Sequence, residues 1–169
     1  NKRSETLNLE ILRTEVQDFI SSHLHDEATK IALSKSPFSN VSSRELAEQI
    51  DGRQRSKKKL PLWFSTPYIY FPPKLSIEQS SSEYTAKYKS ELIKGETLID
   101  LTGGFGVDTF YFARMGKSVT YCEQNEELLL IARHNAKVLG INNINFICSD
   151  SLDYLSKTTQ CVDTIFLDP

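Results

Sequence analysis

Four acidic residues and a glycine-rich turn are the parts of this sequence best suited to chemistry. Apolar runs end at carboxylates in the second half of the chain, at Asp100, Glu123, Asp150 and Asp168. The first run passes directly into a turn made of Thr102, Gly103, Gly104, Phe105 and Gly106. An ionised side chain at a strand end must be solvated or paired, so packing alone does not explain this set. We interpret these residues as an acidic crevice beside a loop that can approach a ligand closely.

Alternating strands and helices are predicted to position this crevice. Strands are expected from residues 98, 118, 144 and 162 onward, with helices at 107–114, 126–139 and 151–155. This alternation is typical of an α/β fold with a Rossmann-like parallel sheet, which binds ligands at the carboxyl ends of its strands. We assign residues 75–169 to this core. Only about four strands are found. We therefore expect a truncated sheet whose last strand is exposed, and we expect this chain by itself to be inactive.

The acidic crevice favours one adenosine-containing cofactor over another. A dinucleotide would bring an anionic pyrophosphate close to Asp100, whereas S-adenosylmethionine carries an ammonium and a sulfonium that a carboxylate attracts. A dinucleotide fingerprint also has glycine or alanine where this turn has Thr109. Glu123 suits the ribose hydroxyls of either cofactor, and Asp150 suits an adenine amino group. The residues therefore predict S-adenosylmethionine.

The same segments carry a resemblance to a known family, over about residues 79–169. They resemble, in chain order, motifs I to IV of the class I S-adenosylmethionine-dependent methyltransferases. These segments are residues 100–106, Glu123, residues 149–150 and residues 167–169. The resemblance implies the Rossmann-like fold, the cofactor and a methyl-transfer activity.

The resemblance also implies which residues bind the cofactor. They are Asp100, Thr102, Gly103, Gly104, Phe105, Gly106, Glu123, Gln124, Asp150 and Ser151. Asp100 and the glycine loop would surround the methionine part, Glu123 would bind the ribose, and Asp150 would bind the adenine. Thr102 departs from the glycine that is usual at its position, which we expect to narrow the loop.

We expect Asp168 and Pro169 to be the catalytic residues. In amino-directed nucleic-acid methyltransferases, an Asp or Asn before Pro accepts a hydrogen bond from the target amino group and aims its nitrogen at the methyl. Residues 78–83 and 104–108 resemble a bacterial group that methylates guanine in ribosomal RNA, and residues 59–63 resemble bacterial methyltransferases with a further THUMP-like domain. The resemblance implies the amino-terminal portion of an enzyme that methylates a nucleic-acid base, with RNA as its partner. A small-molecule or protein methyltransferase is the alternative within this class.

Residues 1–74 are predicted to form a small helical domain ahead of the core. Apolar periodicity indicates helices at about residues 8–22 and 26–34. A third helix is predicted to begin with a capping box of Ser42 and Glu45 and to stop at Gly52.

A helix-turn-helix within residues 26–52 would instead indicate a DNA-binding regulator, the alternative from another functional class. Residues 57–74 contain four prolines and are predicted to be non-helical. Their aromatic rings would either pack in a core or stack on unpaired bases. A further helix is expected at residues 80–92, with Tyr84, Tyr88 and Leu92 along one face.

Charge is distributed unevenly along the chain. Residues 1–95 carry 15 Lys and Arg against 12 Asp and Glu, a net charge of +3, while residues 96–169 carry 5 against 10, a net charge of −5. The densest positive charge comes from Arg53, Arg55, Lys57, Lys58 and Lys59. Two interpretations are open for this run: it grips nucleic-acid phosphates, or it is a solvated linker.

Composition restricts the remaining classes. The sequence has no apolar run long enough to cross a membrane and its first residues lack the apolar core of a signal peptide, so we expect a cytoplasmic protein without a membrane partner. Cys122, Cys148 and Cys161 are expected to be small core residues in a reducing compartment, not metal ligands or disulfide partners. The sequence makes no prediction of the oligomeric state.

Overall fold

The computed structural model describes residues 7–168 and separates into two compact units. The first unit ends at Gln79 and the second begins at Ser80. The boundary expected from the sequence lies after residue 74.

The first unit contains a short 3₁₀ helix and five α-helices among its described residues. The 3₁₀ helix is Leu9–Leu12, and α1 to α5 are Thr14–Ser22, Ala28–Leu33, Ser43–Lys59, Pro61–Ser65 and Lys74–Gln79. The predicted helical character of this region is therefore confirmed.

Helix α3 begins at the predicted capping box but ends later than expected. The Ser42 hydroxyl accepts a hydrogen bond from the Glu45 N–H at 3.2 Å, and the Glu45 carboxylate accepts the Ser42 N–H at 2.7 Å. The expected stop at Gly52 is wrong, because α3 continues to Lys59. A Cβ at Gly52 would lie 2.6 Å from the Cβ of Phe71. Close packing, and not a helix end, accounts for this glycine.

The proline- and aromatic-rich segment also contains helix, contrary to the expectation for residues 57–74. Pro61 occupies the first turn of α4, where a missing N–H costs no helical hydrogen bond. Trp63, Tyr70 and Phe71 are buried, so these rings pack in the core of the first unit. Tyr68 remains 41% exposed.

The second unit contains a four-stranded parallel sheet with helices before and between its strands. The strands β1 to β4 are Thr97–Asp100, Ser118–Glu123, Ile144–Cys148 and Thr164–Phe166, in the spatial order β3-β2-β1-β4. The helices α6 to α9 are Glu83–Leu92, Val107–Arg114, Glu126–Val138 and Ser151–Lys157.

Consecutive residues of β1 pack towards different helices. Leu98 lies in a cluster with Phe112 of α7, whereas Ile99 belongs to a cluster that Tyr154 and Leu155 of α9 pack against. Helices thus cover both faces of the sheet, as a parallel sheet requires. The predicted Rossmann-like α/β fold is confirmed.

Two expectations about side-chain burial need correction or refinement. Cys122 is buried, but Cys148 and Cys161 are exposed, because they lie at the end of the outer strand β3 and in the segment after α9. On α6 the buried positions are the small residues Ala86 and Ser90. The face formed by Tyr84, Tyr88 and Leu92 is the exposed one, at 85%, 58% and 60%. Within the described residues, no helix is both long and apolar enough to span a bilayer.

Candidate cofactor site and reacting corner

The glycine loop after β1 is fixed against the ring of Tyr121. The Gly103 N–H donates to the Cys122 carbonyl at 3.1 Å, and the Tyr121 hydroxyl donates to the Gly104 carbonyl at 2.6 Å. A Cβ at Gly103 would lie 2.3 Å from a ring carbon of Tyr121. Gly104 and Gly106 have φ values of 52° and 84°, in the left-handed region that favours glycine. The sequence therefore builds an open backbone loop that leads into α7, with Phe105 buried.

Asp100 lies beneath this loop and holds it. Its side chain is only 1% exposed. One carboxylate oxygen accepts the Thr102 N–H at 3.0 Å, and the other accepts the Thr109 hydroxyl at 2.5 Å. Burial raises the pKa of Asp100 to about 6, with a further contribution from the charge of Asp108, although the hydrogen bonds from Thr109 and Thr102 oppose this rise. Asp100 therefore places a buried carboxyl group directly beneath the glycine loop.

Glu123 links the end of β2 to the same loop. Its Oε2 accepts the Gly104 N–H at 3.0 Å and its Oε1 accepts the Asn125 N–H at 2.8 Å. The side chain is half-buried, and the neighbouring Gln124 is exposed. The carboxylate is thus held by two backbone donors while each of its oxygens keeps a further lone pair for a ligand.

Asp150 and Ser151 occupy the start of α9, next along the sheet edge. Asp150 Oδ1 caps the helix by accepting the N–H groups of Leu152 at 2.9 Å and Asp153 at 3.1 Å. The Ser151 hydroxyl donates to the Leu101 carbonyl at 2.6 Å. These bonds fix the position of an exposed carboxylate, Asp150, close to the carboxyl end of β3.

Asp168 is joined to the glycine loop through Thr102. The Asp168 N–H donates to Thr102 Oγ1 at 3.0 Å, and the Thr102 N–H donates to Asp100. The residue that departs from the usual glycine therefore supplies the hydroxyl that holds the segment after β4. Pro169, the other predicted catalytic residue, lies outside the described residues.

The structure adds three residues around Asp168 that the sequence did not identify as site residues. Lys89 of α6 forms ion pairs with both Asp108 and Asp168, and Ser81 donates a hydrogen bond to Asp108. Ser81 and Asp108 lie in the segments 78–83 and 104–108 that carry the resemblance, which is the signal that could have revealed them. Lys89 is far away in sequence and carries no local signal.

The basic run at residues 53–59 is the second half of α3, so the interpretation as a solvated linker is wrong. Arg53 donates to the Phe64 carbonyl at 3.0 Å, and burial lowers its pKa. Arg55 pairs with Asp51 at 2.6 Å and with Glu78 at 3.3 Å.

The three lysines of this run differ in their surroundings. Lys59 donates to the carbonyls of Ile77 and Glu78 at 2.9 and 2.8 Å. Lys57 is exposed and lies 6.0 Å from the centroid of the Phe64 ring. Lys58 is exposed. Most of the predicted phosphate-binding charge is therefore used inside the first unit.

Known proteins match the part of the chain that contains the glycine loop. Residues 95–169 match a family described as RNA cap guanine-N2 methyltransferase. An uncharacterized RNA methyltransferase of Mycoplasma mobile is 36% identical over 81 residues, which is 47% of this chain and 22% of that protein. A tRNA (uracil(54)-C(5))-methyltransferase of Pyrococcus horikoshii is 28% identical over 151 residues, which is 88% of this chain and 35% of that protein.

A solved structure extends the match to most of the fold. A candidate methyltransferase from Porphyromonas gingivalis W83 shares 32% identity with a TM-score of 0.70, over 87% of this chain and 37% of that one. This chain thus spans only 22% and 35% of the two curated relatives. The parallel sheet, the motif positions and the matches agree in showing that residues 95–169 are similar to methyltransferases.

Proposed function

We propose that this chain binds S-adenosylmethionine at the carboxyl ends of β1 to β3, and that the full-length protein methylates a base in RNA. The proposal rests on one set of connected hydrogen bonds. The loop at Gly104 is tied to Glu123, and the same loop is tied through Thr102 to Asp168. A cofactor site and a second, exposed carboxylate thereby share one edge of the sheet.

The residues present fit the chemical groups of this cofactor. Glu123 offers lone pairs to two ribose hydroxyls, and Asp150 offers an acceptor to an adenine amino group. The open backbone at Gly104 leaves room for the methionine part, whose ammonium the buried charge of Asp100 favours. When bound, the cofactor supplies a methyl carbon attached to a sulfonium.

We assign Asp168 the role of contacting the methyl acceptor. Its side chain is 51% exposed. A carboxylate here accepts a hydrogen bond from an amino group and keeps the nitrogen lone pair directed towards the methyl carbon. This role favours an exocyclic amino group, such as guanine N2, over a ring carbon.

Support for RNA comes from the names of the matched proteins. The family description names an RNA cap guanine, and the two curated relatives are described as RNA and tRNA methyltransferases. The family description and the tRNA methyltransferase name different atoms, guanine N2 and uracil C5, so the matches support the polymer and not the target atom. A small-molecule or protein acceptor would be the competing result.

The first unit contributes to RNA binding through fewer cations than the sequence indicated. Arg53, Arg55 and Lys59 are held by groups of their own unit, which leaves Lys57 and Lys58 as the two exposed lysines of the run. We assign phosphate contact to these two lysines.

A salt titration of RNA binding tests this assignment. Each lost phosphate contact should reduce the slope of log K against log salt by about 0.7. A Lys57→Gln/Lys58→Gln variant of the full-length protein should therefore show a slope shallower by about 1.4. Lys30→Gln is the matched control, because Lys30 is also an exposed lysine of the first unit. Equal slopes for both variants would refute the assignment.

The function as a whole is tested in cells and by calorimetry. RNA from a deletion strain should lack one methylated nucleoside, and the full-length gene should restore it. In parallel, titration calorimetry should show S-adenosylmethionine binding to the full-length protein that Glu123→Ala weakens. A complete set of methylated nucleosides in the deletion strain would contradict the RNA substrate, and unchanged affinity in the variant would contradict the cofactor site.

A further inference from the structure

Lys89 joins three side chains of the second unit. Its ammonium donates to Ser81 Oγ at 2.8 Å, to Asp108 Oδ2 at 3.2 Å and to Asp168 Oδ2. These contacts use all three of its N–H donors. The ammonium also lies 5.3 Å from the centroid of the Phe166 ring in β4. Lys89 is thus fixed in position, with a side chain only 22% exposed.

The partners of Lys89 are themselves held in place. The Ser81 hydroxyl donates to Asp108 Oδ2 at 2.9 Å, and the Asp108 side chain is 15% exposed. Burial raises the pKa of Asp108, against the opposing hydrogen bonds and charge from Ser81 and Lys89. For Lys89, burial works against its charged form, but the hydrogen bond to Asp168 and the charge of Asp108 outweigh burial and raise its pKa. The ammonium therefore stays charged at neutral pH.

Asp168 is held at two points, and one of its oxygens remains available. Its N–H is bonded to Thr102, and its Oδ2 is bonded to Lys89. Within residues 7–168, no hydrogen bond is formed by Asp168 Oδ1, and the side chain is half exposed. A carboxylate fixed through one oxygen presents the other in a defined direction.

We propose that Lys89 is a positioning residue that fixes Asp168 through Oδ2 and leaves Oδ1 to accept the hydrogen bond of the methyl acceptor's amino group. This inference rests on the proposed function. It differs from a structural explanation in which Lys89 only neutralises the partly buried Asp108. The two explanations predict different results when both Lys89 and Asp108 lose their charges.

The decisive experiment measures methyl transfer to RNA by four full-length proteins: the wild type, Lys89→Met, Asp108→Asn and the double variant. Lys89→Met should reduce kcat on the order of 10- to 100-fold, since small misplacements of a reacting group cost about this much. The dissociation constant for S-adenosylmethionine should stay within about twofold, as expected for a residue that does not bind the cofactor. Asp108→Asn keeps the pair with Asp168 and should retain kcat within about threefold.

The double variant separates the two explanations. If Lys89 only neutralises Asp108, removing both charges restores kcat; if Lys89 positions Asp168, kcat stays low. The double variant leaves no unpaired Asp108 charge, so it keeps the test valid should Lys89→Met fold poorly. Recovery of kcat in the double variant, an unaffected kcat in Lys89→Met, or an equal loss in Asp108→Asn would each overturn the proposal. Lys87→Met is the matched control on an exposed position of α6 and should behave as the wild type.

A second readout does not depend on RNA being the substrate. In protein with ¹⁵N-labelled lysine, the ammonium protons of Lys89 should exchange slowly because all three are hydrogen bonded. Asp168→Ala should broaden or shift this signal, whereas Lys87→Met should leave it unchanged. A Lys89 signal that does not change in Asp168→Ala would overturn the pairing of Lys89 with Asp168. A wild type that methylates no RNA refutes the proposed function instead, and the two failures are thereby distinguished.

Discussion

Replacing Asp100 by asparagine should make the protein more stable and its cofactor affinity weaker. Asp100 is a carboxyl that is 1% exposed and has no cation among its hydrogen-bond partners, which are Thr102 and Thr109. Asparagine has nearly the same shape. It can accept the Thr102 N–H and, through its own NH₂ group, donate to the Thr109 hydroxyl. The change therefore removes a buried charge while leaving the loop bonded.

The magnitude follows from the pKa of Asp100. Burial raises it from 3.8 to about 6. At 1.36 kcal/mol for each pH unit, ionisation of Asp100 in the folded protein costs about 3 kcal/mol at pH 7. Weaker hydrogen bonds to the neutral amide offset about 1 kcal/mol of this. We expect Asp100→Asn to raise the free energy of unfolding by about 2 kcal/mol at pH 7.

Because the pKa of Asp100 is raised in the folded protein, the contribution of Asp100 to stability falls as the pH rises. Folded Asp100 holds its proton more tightly than unfolded Asp100, so the wild type loses stability as pH rises from 3.8 to about 6 and changes little above that. The difference between variant and wild type should therefore be largest at pH 7 and shrink as the pH falls. By pH 5 the charge-dependent part should be about half as large.

Urea unfolding at pH 7 and pH 5, combined with titration calorimetry of S-adenosylmethionine, measures both effects in the full-length protein. The loss of a charge near the cofactor ammonium should weaken binding by about 1.5 kcal/mol or more. An Asp100→Asn variant that is less stable than the wild type at pH 7 would refute the proposed role of the buried Asp100 charge. A stability difference that is the same at both pH values would refute it as well. An unchanged cofactor affinity would remove Asp100 from the functional site.

Three further substitutions test other parts of the site. Glu123→Ala should weaken S-adenosylmethionine binding by about 1 to 3 kcal/mol in calorimetry, because it removes charge-assisted hydrogen bonds; an unaltered isotherm would exclude the ribose role. Gly103→Ala should destabilise the fold by about 1 to 3 kcal/mol in urea, since its Cβ would lie 2.3 Å from the Tyr121 ring. Gly140→Ala is the comparison, because its strain comes from a positive φ with nothing within 4 Å of the new Cβ, whereas Gly103 has no positive φ; an unchanged stability of Gly103→Ala would therefore refute the close contact with Tyr121. Asp168→Ala should lower turnover and leave cofactor affinity largely intact, whereas parallel losses would move Asp168 into the cofactor site.

Much of the fold and of the cofactor edge could be predicted because the signals are local. Apolar runs bounded by glycine placed the strands, and parallel strands bring their carboxyl ends to one edge. Asp100, Glu123 and Asp168 were therefore located together before their contacts were known. The capping box at Ser42 and Glu45 was equally local, and it is present in the structure.

The errors come from contacts between residues distant in sequence. Glycine usually ends a helix, but Gly52 lies inside α3 because Phe71 packs against it. Apolar residues usually face inward, but α6 turns Ala86 and Ser90 inward, the positions that allow close packing. The pairing of Lys89 with Asp168 joins residues 79 positions apart and has no signal in the local pattern.

The most direct test of the account is transfer of a labelled methyl group from S-adenosylmethionine to RNA by the full-length protein. RNA from the deletion strain should be the substrate, since its target base is unmodified. We expect label in a single nucleoside whose modified atom is an exocyclic amino nitrogen, with the wild type active and Asp168→Ala at least about 100-fold slower. Label in protein or a small molecule, or equal rates for the wild type and Asp168→Ala, would contradict it.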